Sequence, residues 1–331
     1  MPINRRIVLA SRPRAEASLD NFRLETVQTP PLTDGQVLVR NLWLSLDPYM
    51  RMRMNEGRSY AAPQPLNETM IGGTVGEVVE SRNPAFKPGD KVVAMFGWQE
   101  YGVSDGTGMR KVPDGPVPLS AYLGAVGMPG VTAWYGLNKI IEPKAGETVL
   151  VSAASGAVGG VVGQLAKLAG CRAVGIAGGA EKCRYVVEEL KFDACIDYKS
   201  ENVAEALARA CPNGVDGYFE NVGGEILNAV LPAMNAHGRI ALCGLIANYE
   251  GEQVPIRQPR WLLISRLKLQ GFIVSEHMQL WPQALKELGD HVASGRIRYR
   301  ESVAHGLESA PAAFLGMLKG KNFGKQLVKL V

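Results

Sequence analysis

The pattern of apolar and polar positions divides the chain into three stretches. Up to residue 121, short alternating segments such as "GQVLVRNLWLSL" and "DKVVAMFGW" are separated by turn residues, which predicts a small barrel or sandwich of strands. From residue 122 to about 292, apolar runs alternate with helical patterns, as in βαβ units. Residues 293–331 return to mixed structure and close on the strand-like "GKQLVKLV". We therefore predict a β domain, made of 1–121 and 293–331, that is interrupted by an α/β domain.

Six apolar runs predict the strands of the α/β domain. Segments with helical spacing lie between most of them, so the strands should be parallel and joined by crossovers in a doubly wound sheet. The last helix of this domain should start near Met278. The six runs are Val149–Val151, "CRAVGIA" (171–177), "ACIDY" (194–198), "VDGYFENV" (215–222), "GRIALCGL" (238–245) and "LKLQGFIV" (267–274).

The first of these strands leads into a turn of small residues. In "VLVSAASGAVGGVVGQLAKLAG" (149–170), apolar residues recur at helical spacing from Gly156 onward, and Gly170 is a suitable helix end. The free N–H groups and the positive dipole end of a helix attract phosphate, provided that no side chain blocks its approach. Gly156 and Gly159 have no side chain and leave that approach open. Ala153, Gly156 and Gly159 match an A-x-x-G-x-x-G variant of the dinucleotide fingerprint. The alternative is a tight strand–helix turn with no ligand.

The tip of the second strand indicates which nucleotide is bound. In folds that bind NAD, a carboxylate at this place accepts hydrogen bonds from the adenosine ribose hydroxyls. Here "RAVGIA" is followed by Gly178, Gly179 and Ala180, and the cations Lys182 and Arg184 come next. A carboxylate would repel a 2′-phosphate, whereas a cation attracts it. The sequence therefore predicts NADP(H) rather than NAD(H), although Lys182 by itself could be a solvated helix residue.

Composition and charge exclude several other classes of function. The chain is 46% hydrophobic and 21% charged, as in ordinary globular proteins, and its net charge of +4 gives no case for nucleic-acid binding. No uncharged apolar run of 18 residues occurs, so we expect no membrane-spanning helix. The five cysteines and four histidines share no zinc-ligand spacing, so we expect no metal site. An odd, scattered set of cysteines suits a reducing compartment, the cytoplasm.

The chain resembles a known family over nearly its whole length. It is similar to the zinc-independent medium-chain dehydrogenases/reductases, and within them to the NADPH-dependent alkenal/one double-bond reductases. That group includes leukotriene/prostaglandin reductases, plant alkenal reductases and bacterial curcumin reductases. The resemblance implies a Rossmann domain for NADP, a GroES-like β-barrel catalytic domain, a small enone or enal substrate, and a homodimer joined through the nucleotide domains. The motifs that carry it are "LWLSLDPYMR" (42–51), "FKPGDKV" (86–92), "GMPGVTAWYGL" (127–137), "AASGAVGG" (153–160), "ENVGG" (220–224) and "GKNFGKQLVKL" (320–330).

The same resemblance implies a set of cofactor contacts. Three of these residues also have simpler interpretations: Asn221 could cap the next helix, Phe272 could be a core residue and Asn322 a turn residue. The position of Asn221 at the carboxyl end of the fourth strand favours a role in the site. The implied contacts are Gly156, Ala157, Val158 and Gly159 at the pyrophosphate, Lys182 and Tyr198 at the 2′-phosphate, Asn221 on the nicotinamide side, and Cys243, Gly244, Tyr249, Phe272, Ile273, Val274 and Asn322 around the rest of the dinucleotide.

Without a zinc ligand set, the substrate has to be polarised by hydrogen bonds. Reduction of an α,β-unsaturated ketone suits this, because hydride adds to the β-carbon and negative charge moves to the carbonyl oxygen as an enolate. One or two O–H donors near that oxygen would stabilise it. The candidate catalytic residues are Tyr49 in "LDPYMR" and Tyr249 in "LIANYE". Tyr49 could instead be a half-buried aromatic of the barrel and Tyr249 a loop residue over the cofactor, in which case the cofactor's ribose hydroxyl would be the donor.

Two other functions fit the same sequence. A quinone reductase of the same superfamily would share the cofactor site and differ in its substrate pocket. A non-catalytic NADPH-binding protein, like the crystallin relatives of the superfamily, would bind the nucleotide without turnover. We expect substrate choice to lie in loops such as "MNEGRSYAAPQPLNETM" (54–70), whose residues show no spacing that indicates a substrate.

Overall fold

The computed structural model describes residues 2–250 and 254–331. The chain divides into two compact units. Unit 1 contains the chain up to Leu123 together with 301–322 and 326–331. Unit 2 contains 124–300 and the short segment 323–325.

The strands of the described residues form three sheets. A two-stranded antiparallel sheet and a larger, mainly antiparallel sheet belong to unit 1, and a parallel sheet belongs to unit 2. In chain order the strands are β1 (Ile3–Leu9), β2 (Phe22–Gln28), β3 (Val37–Ser45), β4 (Thr74–Ser81), β5 (Lys91–Ala94), β6 (Tyr101–Ser104), β7 (Arg110–Lys111), β8 (Thr148–Ser152), β9 (Arg172–Ala177), β10 (Ala194–Asp197), β11 (Val215–Glu220), β12 (Met234–Leu242), β13 (Lys268–Gly271), β14 (Glu301–His305) and β15 (Lys325–Lys329).

The helices are short and most of them belong to unit 2. Five of them lie between consecutive strands of the parallel sheet, and no helix in the described part of the chain is long and apolar enough to cross a membrane. In chain order the helices are α1 (Tyr49–Arg53), α2 (Met128–Tyr135), α3 (Gly159–Leu168), α4 (Ala180–Glu188), α5 (Val203–Ala210), α6 (Gly224–Val230), α7 (Arg260–Ile264), α8 (Trp281–Ala293) and α9 (Ala310–Leu318).

The larger sheet of unit 1 has the strand order β14-β15-β3-β4-β5-β7, and β6 pairs with β3. In β4 the buried Val78 packs in one cluster with Val37, Val39 and Val92. This sheet confirms the β structure that the alternating pattern predicts for the ends of the chain.

The parallel sheet of unit 2 has the order β10-β9-β8-β11-β12-β13. Every position of the central strand β8 is buried, which accounts for its apolar run Val149–Val151. The strand order reverses between β8 and β11, which makes the carboxyl ends of these two strands the switch point where doubly wound sheets bind ligands. The predicted doubly wound α/β fold is confirmed.

Several elements of unit 2 differ from their predicted bounds: β12 is Met234–Leu242 and not 238–245, the last helix α8 begins at Trp281 and not near Met278, and two further elements bear on the site. The helix after the glycine turn begins at Gly159 and not at Gly156, because the Gly156 N–H donates to the carbonyl of Ala153 at 2.9 Å and closes a turn first. The sixth strand is β13, with four residues, and not the eight-residue run 267–274. From Phe272 onward the chain leaves the sheet, and the Phe272 ring packs edge-on against Phe219.

Candidate active site

The turn after β8 is shaped by close backbone packing. Ala153 has a φ of +51°, and a Cβ at Gly159 would lie 2.4 Å from the Ala153 carbonyl oxygen, so only glycine fits there. Gly156 forms a parallel bridge with Gly324. The N-cap residue of α3 is Val158, whose apolar side chain makes no capping hydrogen bond. The first N–H groups of this ten-residue helix therefore lie beside a turn cleared of side chains, which fits the predicted pyrophosphate site.

Two arginines line an opening beside this turn. Gly156 and Ala157 lie on its wall together with Arg298 and Arg300. The Arg300 guanidinium is held over the ring of Phe323, 4.0 Å from the ring centroid. Guanidinium groups suit the double negative charge of a pyrophosphate. These arginines were not among the predicted contacts, although the basic run "GRIRYR" was the signal that could have indicated them.

Two lysines and a tyrosine meet at the tip of β9. Lys182 of α4 is half-buried, and its pKa is lowered by burial and by the positive charge of Lys199. The ring of Tyr198 lies against Gly178, where its atoms would be 2.8–2.9 Å from a Cβ. Two ammonium groups and a phenol at one strand tip fit a 2′-phosphate. Lys182 and Tyr198 were predicted here, whereas Lys199 comes from the end of the neighbouring strand and was missed.

A carboxylate does reach this strand tip, from the neighbouring strand. Asp197 ends β10, and its Oδ1 accepts the N–H groups of Gly179 at 2.7 Å and Lys199 at 3.0 Å. Burial acts to raise the pKa of Asp197, but these hydrogen bonds lower it overall. The prediction that no carboxylate lies at this strand tip is correct for the residues that directly follow β9. It is wrong for the neighbouring strand, which brings Asp197 to the same place. Because the Asp197 oxygen is occupied by backbone donors and two lysines lie nearby, the preference for a 2′-phosphate is retained.

A buried glutamate ties together the strand ends at the switch point. Glu220, the last residue of β11, is fully buried. Its carboxylate accepts the hydroxyls of Ser152 at 2.7 Å and Tyr218 at 2.8 Å and the N–H of Val222 at 2.6 Å. The Ser152 hydroxyl oxygen in turn accepts the backbone N–H of Asn221 at 2.8 Å. This network of satisfied hydrogen bonds fixes the loop that follows β11.

Asn221 is held against the sheet by this network. Its Nδ2 donates to the carbonyl of Ser152 at 2.8 Å, and α6 is preceded by Gly223 with no side-chain cap, so the interpretation of Asn221 as a helix cap is wrong. A Cβ at Gly244 would lie 3.3 Å from the Asn221 carbonyl oxygen and 3.5 Å from the Tyr249 hydroxyl. The structure thus brings Asn221, Gly244 and Tyr249 together near the carboxyl ends of β8 and β11.

The loop from Cys243 to Tyr249 contributes backbone and amide groups. The Cys243 side chain packs against the core, and burial raises its pKa to about 12, so it stays a protonated thiol at neutral pH. The Cys243 N–H donates to the Glu220 carbonyl at 2.9 Å. The side-chain oxygen of Asn248 is buried without a hydrogen-bond partner among the described residues. Such an unmet acceptor fits a loop that a bound dinucleotide completes, because buried polar atoms are otherwise paired.

In the segment Phe272–Val274, the side chains of Phe272 and Val274 pack in the core of unit 2. The Phe272 ring lies 6.2 Å from that of Phe219 and 5.3 Å from that of Tyr135, measured between centroids. Val274 is buried, and Ile273 has an extended backbone. The core interpretation therefore describes the Phe272 side chain correctly, and we expect any cofactor contact of this segment to come from its backbone.

Tyr49 and Asn322 belong to unit 1. Tyr49 is the half-buried first residue of α1, and its pKa is raised above the ordinary value by burial and by the charge of Asp47. The phenol therefore stays protonated and can donate a hydrogen bond. Asn322 is the last residue before the segment 323–325, which packs with unit 2 and carries the Gly324 bridge to the glycine turn.

Comparison with protein families matches two parts of the chain to oxidoreductases. Residues 5–112 match the N-terminal domain of oxidoreductase, and residues 157–290 match a family described as zinc-binding dehydrogenase. Within 2–250 and 254–331, no group of three or more His, Cys, Asp and Glu side chains could hold a metal ion.

Relatives match the chain from end to end. An NADPH-dependent curcumin reductase of Escherichia coli is 47% identical, over 99% of this chain and 97% of the relative. A 2-alkenal reductase (NADP(+)-dependent) of Nicotiana tabacum is 46% identical, over 90% of this chain and 88% of the relative. The crystal structure of CurA in complex with NADPH from Vibrio vulnificus has a TM-score of 0.94 at 46% identity and covers 99% of both chains. The chain therefore belongs to the medium-chain dehydrogenase/reductase family, within its group of NADPH-dependent alkenal/one double-bond reductases.

Proposed function

We propose that this protein reduces the C=C bond of α,β-unsaturated ketones and aldehydes with NADPH. The observation that carries the proposal is the meeting of Asn221 and the Tyr249 hydroxyl at Gly244, beside the switch point of the parallel sheet. The same unit holds Lys182 and Lys199 at the β9 tip, where they fit a 2′-phosphate. The named activities of the curcumin and 2-alkenal reductases support the same reaction.

The residues of unit 2 would bind and orient the dinucleotide. When bound, NADPH supplies the hydride that adds to the β-carbon of the substrate. The turn at Gly156 and the arginines Arg298 and Arg300 would hold the pyrophosphate. Lys182 would hold the 2′-phosphate. Asn221, fixed through the Glu220 network, would position the nicotinamide end.

A tyrosine hydroxyl would stabilise the charge that develops on the substrate. As hydride reaches the β-carbon, electrons move to the carbonyl oxygen, and Tyr249 or Tyr49 donates a hydrogen bond to it. A proton from tyrosine or water then reaches the α-carbon, which completes the saturated ketone. A preformed hydrogen-bond donor does in this scheme what a zinc ion does in a metal-dependent dehydrogenase. We also propose that unit 2 is the cofactor domain, that unit 1 is the catalytic domain, and that the enzyme works in the cytoplasm.

The test is NADPH consumption with a panel of simple enones, a diarylenone and a quinone, followed by identification of the products. We expect the enones to yield saturated ketones with the carbonyl intact. Hydroquinone as the main product would favour the quinone-reductase alternative, and an allylic alcohol would overturn the reaction class. Binding of NADPH without turnover of any substrate would favour the non-catalytic alternative.

We propose a homodimer joined through the edge of the parallel sheet at β13. This strand is shorter than predicted, so its open backbone alone is a weaker reason for pairing. The preceding helix α7 gives a second reason for pairing, because two of its large apolar side chains are exposed: Leu263 is 79% exposed and Ile264 is 52% exposed. We expect light scattering at micromolar concentration to give the mass of two chains and Leu263→Asp to give the mass of one. A single-chain mass for the unchanged protein would contradict the proposal.

A further inference from the structure

Two cysteine side chains lie in contact beside the lysines of the β9 tip. Cys183 directly follows Lys182 in α4, and Cys195 lies on β10 two residues before Asp197. Their Sγ atoms are 3.1 Å apart, with the Cys195 thiol donating to Cys183. Neither residue is fully buried. No other pair of cysteines within the described residues shows such a sulfur contact.

The two thiols are not equivalent. The hydrogen bond from Cys195 lowers the pKa of Cys183, whereas the same hydrogen bond, together with burial, raises the pKa of Cys195. Cys183 lies near the N-terminus of α4, where the helix dipole favours an anion. The thiolate is the form that attacks an oxidant, so Cys183 should react first and Cys195 should resolve the product.

We propose that Cys183 and Cys195 form a reversible disulfide that weakens NADPH binding when a peroxide oxidises the enzyme. The Cys183 thiol first releases its proton; the thiolate attacks one oxygen of hydrogen peroxide, the O–O bond breaks, and sulfenic acid and hydroxide result, the hydroxide taking up that proton to give water. The Cys195 thiol then attacks the sulfenyl sulfur, the S–S bond forms, and a second water leaves with the proton of the thiol. Two thiols are oxidised and one peroxide is reduced to two waters. A dithiol reductant reverses the step by exchange.

The bond would disturb the two lysines through the elements that carry them. A disulfide sulfur separation is about 2.05 Å, so the two Sγ atoms have to approach by about 1 Å, and we expect a shift of α4 toward the end of β10 to supply part of that movement. Lys182 is bonded to Cys183, and Lys199 lies just beyond the end of β10. Charge-assisted hydrogen bonds work over a narrow range of distances, so a shift of this size should weaken those made to a 2′-phosphate.

The expected effect is a rise in KM for NADPH of about threefold to tenfold. This is smaller than the effect of losing one charge-assisted hydrogen bond completely, because the shift weakens the bond without removing it. The kcat at saturating NADPH and the KM for NADH should stay unchanged, because NADH has no 2′-phosphate. This effect on the cofactor rests on the proposed function, whereas formation of the disulfide does not.

The experiment treats the full-length enzyme with hydrogen peroxide, blocks free thiols with N-ethylmaleimide, and identifies linked peptides by mass spectrometry. NADPH and NADH kinetics are measured on the same samples before and after dithiothreitol. We expect a Cys183–Cys195 peptide in the unchanged protein and none in Cys183→Ser or Cys195→Ser. Both variants should keep the untreated KM for NADPH and lose its response to peroxide. Cys171→Ser is the matched control, because this thiol only donates to the Lys144 carbonyl at 3.3 Å and should leave the response intact.

The results separate the disulfide from the cofactor assignment. Absence of the linked peptide, with sulfinic acid at Cys183 instead, would overturn the proposal. A linked peptide with an unchanged KM for NADPH would overturn the regulatory part if Lys182→Ala raises that KM. If Lys182→Ala also leaves KM unchanged, the assignment of the 2′-phosphate site fails, and the linked peptide still supports the disulfide.

Discussion

Replacing Tyr249 by phenylalanine is expected to lower kcat about a hundredfold to a thousandfold, the usual cost of removing one oxyanion donor, while KM for NADPH stays nearly unchanged. The structure favours Tyr249 because its hydroxyl lies at Gly244 beside Asn221, near the carboxyl ends of β8 and β11. The hydrogen bond strengthens only as negative charge develops on the substrate oxygen, so its loss should appear in kcat. Steady-state kinetics with a simple enone at saturating NADPH measures the effect.

Tyr49→Phe and the double variant complete this experiment. Tyr49 stays protonated because burial and Asp47 raise its pKa, so it is a competent donor and its variant is informative. Tyr135→Phe is the control, since that ring stacks on His277 at 4.2 Å and has no assigned role in the reaction. We expect Tyr135→Phe to change kcat by less than about twofold, because this hydroxyl is not assigned to the substrate oxygen on which negative charge develops. A loss of threefold or less in both single variants and the double variant would instead indicate the cofactor's ribose hydroxyl as the main donor.

Lys182→Ala is expected to raise KM for NADPH about tenfold to a hundredfold and to leave the KM for NADH almost unchanged. The reason is the loss of one cationic contact to the 2′-phosphate, worth about 1.5–3 kcal/mol at a partly buried site. Burial and the charge of Lys199 lower the pKa of Lys182. A bound phosphate dianion would raise that pKa, because an opposite charge favours the protonated lysine, and the attraction between the two would favour NADPH. Initial rates with both cofactors measure the effect.

Two variants delimit the cause of that change. Lys199→Ala should also raise the KM for NADPH, because its charge acts at the same strand tip. Arg184→Ala is the matched control: it lies two residues further along α4, on another face of the helix, and it is exposed. We expect Arg184→Ala to change either KM by less than about twofold, as for exposed surface residues. Equal losses with NADPH and NADH in Lys182→Ala would mean that Lys182 supports the structure and does not select the cofactor.

The strand and helix order of unit 2 could be predicted because each element carries its own hydrophobic period. The buried strand β8 has the apolar run Val149–Val151, and the helix α3 that follows it carries its apolar residues at helical spacing. Element ends were less predictable. The last strand was predicted four residues too long, since Phe272–Val274 are as apolar as a strand and only tertiary packing against Phe219 takes Phe272 out of the sheet.

By itself the sequence determined the features that depend on neighbouring residues: the glycine turn, the cation Lys182 after an acid-free strand, and the parallel α/β order. Only the tertiary structure decided which distant groups meet. It brings Lys199 and Asp197 from β10 to the tip of β9, and it closes the Glu220 network across two strands. It also places Cys183 against Cys195. Each of these contacts joins residues that are far apart along the chain. Strand pairing brings them together, and the local sequence pattern does not show which strands pair.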